Sequence, residues 1–176
     1  LHIFAFSVMA NTLRGVYGTD VLLATANSFT GSVLQADYNK KMAASMIMPN
    51  GLMSRQRTMT GAELKETVRA FVEGCEGGFV PFNRGSLPVV SGIAVEVKEA
   101  GGSYTLTGIT RNGQPLRDDD TVTVTCLATA KQMAPLLADK SSGFTGGDQQ
   151  VKSTWTEDVS GGGAALAEPE NYMTLR

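Results

Sequence analysis

The chain has 176 residues, with 15 Lys or Arg against 17 Asp or Glu, which gives a formal net charge of −2. This length predicts a single domain that buries enough surface to fold without a metal or a disulfide. The balanced charge argues against a protein that binds a nucleic-acid polymer, and no apolar run is long enough to predict a membrane span.

The first third of the chain reads as a helix followed by a buried strand. Apolar residues at helical spacing predict a helix over residues 4–17, which Gly18 ends. The short apolar run from Asp20 to Ala26 is typical of a strand covered on both faces. It leads into a small polar loop that begins at Asn27, and α/β proteins often bind ligands in loops at the carboxyl ends of buried strands.

The clearest local signal is a capping box at the start of a second helix. Thr60 can cap the helix, and Glu63 follows at the required three-residue spacing. Apolar residues at helical spacing then predict a helix over 61–73. Arg55 and Arg57 precede the box, and their alternate spacing places both on one face of a strand.

An antiparallel meander is predicted over residues 91–127, with Gly108 as a possible bulge. Within it, Asn112-Gly113 is a strong hairpin signal because both residues accept positive φ. Apolar residues at four-residue spacing predict a last helix over 149–159. Together these elements predict one α/β (α+β) domain over residues 1–176, with a mixed sheet that contains the meander and is flanked by helices.

Histidine and cysteine, which often act in catalysis or bind metals, are scarce in this sequence. His2 is the single histidine, so a His-rich metal centre or a catalytic triad cannot be assembled from the rest of the chain, and we predict no catalytic residue, metal site or cofactor here. Cys75 and Cys126 either pair or remain small buried side chains. The acidic run Asp118–Asp120 is the one place where an all-carboxylate Mg²⁺ or Ca²⁺ site is an alternative, but its position after a hairpin turn favours a solvated loop.

Several short segments are informative through their order along the chain. They are Met9–Arg14 with Gly18–Val21 and Asn27, Met59–Lys65, Val90–Val95, Thr110–Leu116 with Val122–Val124, and Glu168–Tyr172. In this order they resemble the C-terminal, substrate-binding domain of the 5′-nucleotidase family, and the resemblance covers nearly the whole chain.

The resemblance implies a division of labour between two domains. An N-terminal metallophosphatase domain, absent from this chain, would hold a divalent metal pair and hydrolyse nucleotides or related phosphoesters. The C-terminal domain would be its partner in the same polypeptide and would bind the nucleotide or nucleoside. The resemblance also implies a bacterial protein with an extracellular, periplasmic or cell-surface location, and a chain that is inactive by itself.

Site residues carry over only where this sequence matches the family. Asn27 matches the start of the family's glycine-rich loop. Ser32 stands about where that loop has its arginine, so a bidentate phosphate clamp is missing. Arg55 and Arg57 are the nearest substitutes, and the alternative is that they form a solvated strand face.

The aromatic part of the predicted site is also altered. The segment from Phe144 to Asp148 resembles an aromatic residue followed by the family's Gly-Gly-Asp-Gly motif, so both end residues join the predicted site; the alternative is a flexible loop. The other base-stacking position falls on Val89 or Val90, which cannot stack as an aromatic ring does. The sequence therefore predicts either a nucleotide-recognition domain of unusual specificity or a degenerate structural or interaction module. The first alternative predicts that Asn27 and Asp148 lie on the same side of the domain.

Overall fold

In this computed structural model, the structure describes residues 2–25, 28–29, 47, 53–73, 88–128, 151, 155 and 173–175. Within these residues the chain forms two helices and eight strands. In chain order they are α1 (His2–Tyr17), β1 (Val21–Thr25), β2 (Met53–Thr60), α2 (Gly61–Glu73), β3 (Pro88–Ser91), β4 (Ala94–Ala100), β5 (Ser103–Arg111), β6 (Gln114–Pro115), β7 (Thr121–Ala128) and β8 (Met173–Leu175).

The described strands form two sheets. The first has the order β2-β7-β1-β3, in which β1 and β7 run parallel and the other neighbours run antiparallel. The second has the order β6-β5-β4-β8 and is antiparallel apart from the parallel pair of β4 and β8. The predicted mixed α/β class is confirmed. Among the described residues no helix has the length and apolar character needed to cross a bilayer.

One detail of the predicted sheet differs from the structure. The third strand of the predicted meander, β7, does not stay beside β5 but inserts between β1 and β2 in the first sheet. It pairs with β2 along eight residues, from Ala128 opposite Met53 to Thr121 opposite Thr60. A central strand suits β7 because it contributes a buried side chain to each face: Val124 enters one core and Leu127 the other.

Two cores cover the faces of the first sheet. Val21 and Leu23 pack into the core shared with α2 and the second sheet, whereas Leu22 and Ala24 pack into the core beneath α1. All residues of β1 are buried, which confirms a strand covered on both faces. Of the predicted last helix the structure describes Val151 and Trp155, which are helical and buried in the α1-side core.

The predicted end of the first helix and the predicted start of the second are confirmed, whereas α1 begins at His2, two residues before its predicted start. At the end of α1, Gly18 has φ 63°, and the N–H groups of Gly18 and Thr19 donate to the carbonyls of Gly15 and Arg14. This bonding pattern closes a helix at a left-handed residue. At the start of α2 the backbone N–H of Glu63 donates to Thr60 Oγ1 at 3.2 Å. The backbone N–H of Thr60 donates to the Glu63 carboxylate at 2.8 Å, so the capping box is complete.

We expect Thr60→Ala to lower the free energy of unfolding by about 1 kcal/mol, because the N–H of Glu63 loses its acceptor. Urea denaturation measures this loss. Thr58→Ala is the matched control, since Thr58 is an exposed threonine of the same strand. Equal effects of the two substitutions would show that the cap contributes nothing.

The hairpin signals are confirmed in the second sheet. Asn112 and Gly113 have φ of 52° and 75° and connect β5 to β6. In the β4–β5 pair, Glu96 lies opposite Gly108 but Val97 lies opposite Leu106, so the residue between them is extra. The predicted bulge is therefore present in β5.

Candidate functional site

The carboxyl edge of the first sheet is the place where the sequence predicts a ligand. Because β1 and β7 are parallel, Thr25 and Ala128 end at the same edge. Antiparallel pairing brings Pro88 opposite Thr25 and Met53 opposite Ala128. The four residues form one row across the sheet, and open α/β sheets bind ligands outside such edges.

Three of the predicted site residues, Asn27, Phe144 and Asp148, lie outside the described residues. That Asn27 and Asp148 lie on the same side of the domain therefore stays a prediction. The residues around Asn27 that are described, Thr25 and Ser28, are buried, and their hydroxyl oxygens lie 3.5 Å apart. Thr25 and Ser28 therefore lie side by side at the carboxyl edge.

The two predicted arginines lie on β2 at different distances from this edge. Arg55 pairs with Cys126, two residues in from the Met53 row, whereas Arg57 pairs with Val124 further along. The regular register places both on the face whose core includes Met59 and α2. Arg55 is therefore the nearer of the two to the candidate site.

Arg57 is held by the capping box of α2. Its Nη2 lies 2.6 Å from Glu63 Oε1, and 21% of its side chain is exposed. The hydrogen bond from the Thr60 backbone N–H holds the pKa of Glu63 below its ordinary value of 4.5, partial burial opposes this, and the charge of Arg57 adds to the lowering. The carboxylate is thus ionised at neutral pH, and it both caps α2 and binds Arg57.

This carboxylate predicts a pH dependence of stability. A folded-state pKa of Glu63 below the unfolded value means that its contribution is present above about pH 4.5 and is lost as the pH falls through the folded pKa. We expect Glu63→Gln to lose less stability than the wild type between neutral pH and pH values below 4.5. Urea denaturation at several pH values tests this, with Glu99→Gln as the control because Glu99 is an exposed residue of β4. Parallel pH profiles of wild type and Glu63→Gln would contradict the expectation.

Several of the described segments that carry the family resemblance meet at the opposite edge of the first sheet, around Asp20. Its carboxylate accepts hydrogen bonds from the backbone N–H of Thr123 at 2.8 Å, the Thr123 hydroxyl at 3.0 Å and Arg111 Nη2 at 2.8 Å. Partial burial alone would raise the pKa of Asp20. The Thr123 hydrogen bonds and the charges of Arg111 and Arg14 outweigh burial and hold this pKa below its ordinary 3.8. Asp20 thereby joins β1, β7 and the second sheet.

A second polar group at this edge joins α1 to β3. The Ser91 hydroxyl donates to Asn11 Oδ1 at 2.9 Å and accepts from Arg14 Nε at 3.0 Å, while Arg14 Nη2 donates to Asn11 Oδ1 at 3.2 Å. Gly92 follows with φ 86° at the corner where the chain passes from the first sheet to the second. A Cβ at this position would overlap the carbonyl oxygen of Asp20, so the corner needs glycine.

The third resemblance segment, at the start of α2, contacts the turn before β7. The backbone N–H of Gly61 donates to the Asp120 carbonyl at 2.7 Å, and that of Ala62 to the Asp118 carbonyl at 3.2 Å. These carbonyls satisfy donors that the first turn of a helix leaves free. A Cβ on Gly61 would overlap the Arg117 carbonyl oxygen, so glycine permits this close approach.

The acidic run has a partner for each carboxylate. Asp118 Oδ1 accepts from Lys65 Nζ at 2.7 Å, Asp119 Oδ2 from Arg117 Nη2 at 2.8 Å, and Asp120 Oδ2 from the Arg117 backbone N–H at 2.9 Å. Asp118 and Asp119 are exposed. The acidic run is therefore a solvated turn, and its carbonyl groups cap the start of α2. In the part of the chain that is described, no three His, Cys, Asp or Glu side chains are grouped so that they could hold a metal.

Cys126 is a free, fully buried thiol on β7. Burial raises the pKa of Cys126 to about 12, so the thiol stays protonated and packs as a small apolar group. Cys75 lies outside the described residues. The Cys126 thiol therefore offers no nucleophile to the candidate site.

The polar contacts around Asp20 and Ser91 were not predicted as such from the sequence. Their residues were recognised only as members of segments similar to a family, which does not reveal what each side chain does. The structure shows that these segments build the joints between helix and sheets. The candidate ligand edge lies at the other end of the same strands, and of the two β2 arginines Arg55 is the nearer to it.

Comparison with known proteins supports this architecture. Neither a protein-family model nor a curated protein sequence matches the chain. Among solved structures it is similar to NAD nucleotidase (NadN) of Haemophilus influenzae, with a TM-score of 0.66, 15% identity, and 96% of this chain and 33% of that chain covered. It is similar to the 5′-nucleotidase precursor of Thermus thermophilus, with a TM-score of 0.66, 14% identity, and 99% and 34% covered. It is also similar to sulfate thiohydrolase SoxB of Thermus thermophilus, with a TM-score of 0.62, 12% identity, and 97% and 31% covered.

These likenesses define the fold of the chain. It is the fold of a 5′-nucleotidase C-terminal domain, as the resemblance predicts. The chain spans about one third of the length of the proteins that it matches.

Proposed function

We propose that this chain is the substrate-recognition domain of a 5′-nucleotidase-type phosphoesterase. In this account it holds the organic part of a nucleotide or nucleoside at the carboxyl edge of the first sheet. The observation that supports the proposal most strongly is the likeness to two nucleotidases over 96% and 99% of this chain but only about a third of theirs. One third of such an enzyme is the size of one domain, and in this proposal that domain is the one that recognises the substrate.

Catalysis then belongs to another domain of the same polypeptide. A dinuclear phosphoesterase centre draws on several His and carboxylate ligands, and this sequence has one histidine. We propose that an N-terminal metallophosphatase domain supplies the divalent metal pair and the hydrolysis. An Asp-X-His and Asn-His-Glu pattern in the upstream coding sequence would support this, and an upstream sequence without it would contradict it.

We expect the purified chain to release no phosphate from AMP in the presence of Mn²⁺, Zn²⁺ or Mg²⁺. The physical reason is that one histidine cannot assemble the ligands of a metal pair that activates water. Colorimetric phosphate release measures this, and the full-length polypeptide is the positive control. Turnover by the chain alone, retained after repurification, would overturn the division of labour.

Two polar residues that the sequence predicts near the carboxyl edge of the first sheet support the proposal. Asn27 follows β1 in the sequence, and Arg55 lies two residues in from the carboxyl edge on β2. In this proposal the Asn27 amide and the Arg55 guanidinium both serve that edge. A guanidinium binds phosphate and stacks on planar rings. Arg57 contributes less in this account, since its guanidinium is bound to Glu63.

The experiment for this proposal is a calorimetric titration of the chain with AMP and adenosine. We expect saturable binding of both, and weaker binding by Arg55→Met. Lys98→Met is the matched control, because Lys98 is an exposed cation on β4, outside the first sheet. Equal affinities of wild type and Arg55→Met would remove Arg55 from the site, and absence of binding would contradict the proposed function.

One observation favours a second candidate, a degenerate structural or interaction module. Val89 and Val90, where the family resemblance places a base-stacking residue, are both fully buried, one in each core. With Ser32 in place of the loop arginine, two contacts expected for a nucleotide are missing. Absence of AMP and adenosine binding in the titration is the result that this candidate predicts.

We further propose that the protein is bacterial and acts outside the cytoplasm. The support is that the similar structures include bacterial proteins and that one of them is described as a precursor. Fractionation of the native host, with detection of the full polypeptide by antibody, tests the location. Recovery in the cytoplasmic fraction alone would contradict it.

A further inference from the structure

The turn between β5 and β6 places an asparagine directly before a glycine in an exposed loop. Asn112 and Gly113 are both exposed, and the pair of Arg111 with Gln114 closes the loop around them. Apart from its chain neighbours, no atom lies within 4 Å of a Cβ built on Gly113. The backbone nitrogen of Gly113 is thus unshielded on the side where another residue would carry its side chain.

This arrangement permits a reaction of the chain with itself. The backbone nitrogen of Gly113 attacks Asn112 Cγ, a bond forms between these atoms, and the bond from Cγ to Nδ2 breaks. The amide nitrogen leaves as ammonia with the proton of the Gly113 N–H, and a cyclic succinimide remains. Water then opens the ring. Attack at Cγ gives aspartate, whereas attack at the main-chain carbonyl gives isoaspartate, in which the backbone runs through Cβ and Cγ.

The folded turn slows this reaction without preventing it. Asn112 has φ 52° and Gly113 has φ 75°, the pair of positive values that tight hairpin loops require. The Cα–C bond of Asn112 must rotate before the nitrogen of Gly113 can reach Cγ, so the turn has to open first. Strand β6 has only two residues, and short pairings at the end of a sheet open locally.

The isoaspartate product would change the hairpin, because it adds one carbon to the backbone of the loop. Loop length and turn type set the register of a hairpin. The observed register buries Leu116 in the core and brings its N–H to the Ile109 carbonyl at 3.0 Å. It also places the Arg117 carbonyl oxygen in the space that Gly61 leaves by having no Cβ.

The segment that leaves the hairpin is the one that caps α2. The backbone N–H of Gly61 donates to the Asp120 carbonyl at 2.7 Å, and that of Ala62 donates to the Asp118 carbonyl at 3.2 Å. A longer loop displaces Leu116 and the residues after it, so these two bonds weaken. The covalent change at the tip of the hairpin therefore reaches the start of α2.

We propose that Asn112 is a site of spontaneous deamidation, and that its conversion to isoaspartate weakens the capping of α2. The reaction needs water as its only co-reactant. This inference is independent of the proposed function, because neither the reaction nor its consequence involves a ligand.

The first test incubates the purified chain at neutral and mildly alkaline pH and then digests it with trypsin. Cleavage after Arg111 and Arg117 releases a peptide in which Asn112 is the only asparagine. Its Gln114 cannot react in the same way, because Pro115 has no N–H. Mass spectrometry detects the conversion of amide to acid, and an isoaspartyl methyltransferase distinguishes isoaspartate from aspartate.

We expect isoaspartate at Asn112, accumulating faster as the pH rises because the attacking nitrogen must lose its proton. A synthetic peptide of residues 110–116 should react about tenfold faster, because no folded turn has to open. A sample digested without incubation gives the background. Absence of isoaspartate at Asn112 under conditions that convert the synthetic peptide would overturn the site.

The second test measures amide hydrogen exchange at Gly61 and Ala62 before and after conversion. We expect faster exchange at both in the isoaspartate form and no change at Val124 in central β7. Asn112→Gly is the matched control, because a Gly-Gly turn keeps the hairpin and has no amide to lose. It should show the same exchange before and after incubation. Unchanged exchange at Gly61 and Ala62 in the converted chain would contradict the effect on α2.

Asn112→Asp separates the added charge from the longer backbone. It has the charge of the product but an ordinary backbone, and aspartate is also accepted in this turn. We expect its exchange at Gly61 and Ala62 to match the wild type. Acceleration equal to that of the isoaspartate form would attribute the effect to charge and contradict the proposed cause.

Discussion

Replacement of Gly92 by alanine is expected to cost at least about 3 kcal/mol of unfolding free energy, enough to unfold a marginal domain. Two effects add. The residue has φ 86°, where a side chain is strained, and the new Cβ would overlap the carbonyl oxygen of Asp20 and approach Arg14 Cδ at 3.2 Å. The overlap is with backbone at a corner between two sheets, so relief requires moving β1 or β3.

Gly113→Ala separates the two effects. Gly113 also has positive φ, 75°, but no atom lies within 4 Å of its added Cβ. We expect this control to lose only the conformational strain, about 1 kcal/mol. Urea or thermal denaturation of both variants gives the difference. If Gly92→Ala is no less stable than Gly113→Ala, then the corner does not pack against Asp20 as described.

Gly61→Ala is the second substitution with a large expected effect, a loss of about 2–4 kcal/mol. Alanine normally favours a helix over glycine, so propensity alone predicts a gain. The added Cβ would instead overlap the Arg117 carbonyl oxygen, with Leu116 Cγ at 3.4 Å. The turn must then move away, and the 2.7 Å bond from the Gly61 N–H to the Asp120 carbonyl is lost.

Gly15→Ala is the matched control for this change. Gly15 also lies in a helix, and its added Cβ meets nothing within 4 Å. We expect it to raise the free energy of unfolding by about 0.5–1 kcal/mol. Opposite signs for the two glycine substitutions, measured by chemical denaturation, would confirm the close contact between α2 and the turn. A gain in both would contradict it.

The sequence predicts the elements whose causes are local. The boundaries of α1 and α2 follow from a left-handed glycine and a capping box, and the β5–β6 hairpin follows from Asn112-Gly113. Each of these signals depends on bonds between residues a few positions apart, which a single sequence contains in full. The burial of β1 on both faces is likewise visible as an uninterrupted apolar run.

The placement of β7 could not be predicted in the same way. Its alternate threonines indicate a half-exposed strand, and the hairpin before it indicates a meander. In the structure the Thr123 hydroxyl donates to Asp20 and the Thr125 hydroxyl donates to Thr19 at 3.1 Å, so the polar face is satisfied within the domain. These partners lie more than one hundred residues away in the chain, and nothing in the local pattern of β7 indicates them.

The candidate site was predictable only in part. Parallel β1 and β7 form its edge, and the sequence predicts a ligand-binding loop there because Asn27 follows β1. The partner of Arg57 is visible in the sequence, because Glu63, the residue of the capping box, lies six positions further on. The sequence does not show, however, whether an arginine near a strand end binds a ligand or this carboxylate. The 2.6 Å ion pair with Glu63 shows a structural contact for this side chain.

The central claim is that the organic part of a nucleotide is held at the carboxyl edge of the first sheet. The most direct test is a titration of the ¹⁵N-labelled chain with AMP, followed by amide chemical shifts. The account predicts that shifts change at Thr25, Met53 and Ala128 and stay constant at Asp20 and Thr123. Shift changes confined to Asp20 and Thr123, or no changes at saturating AMP, would contradict it.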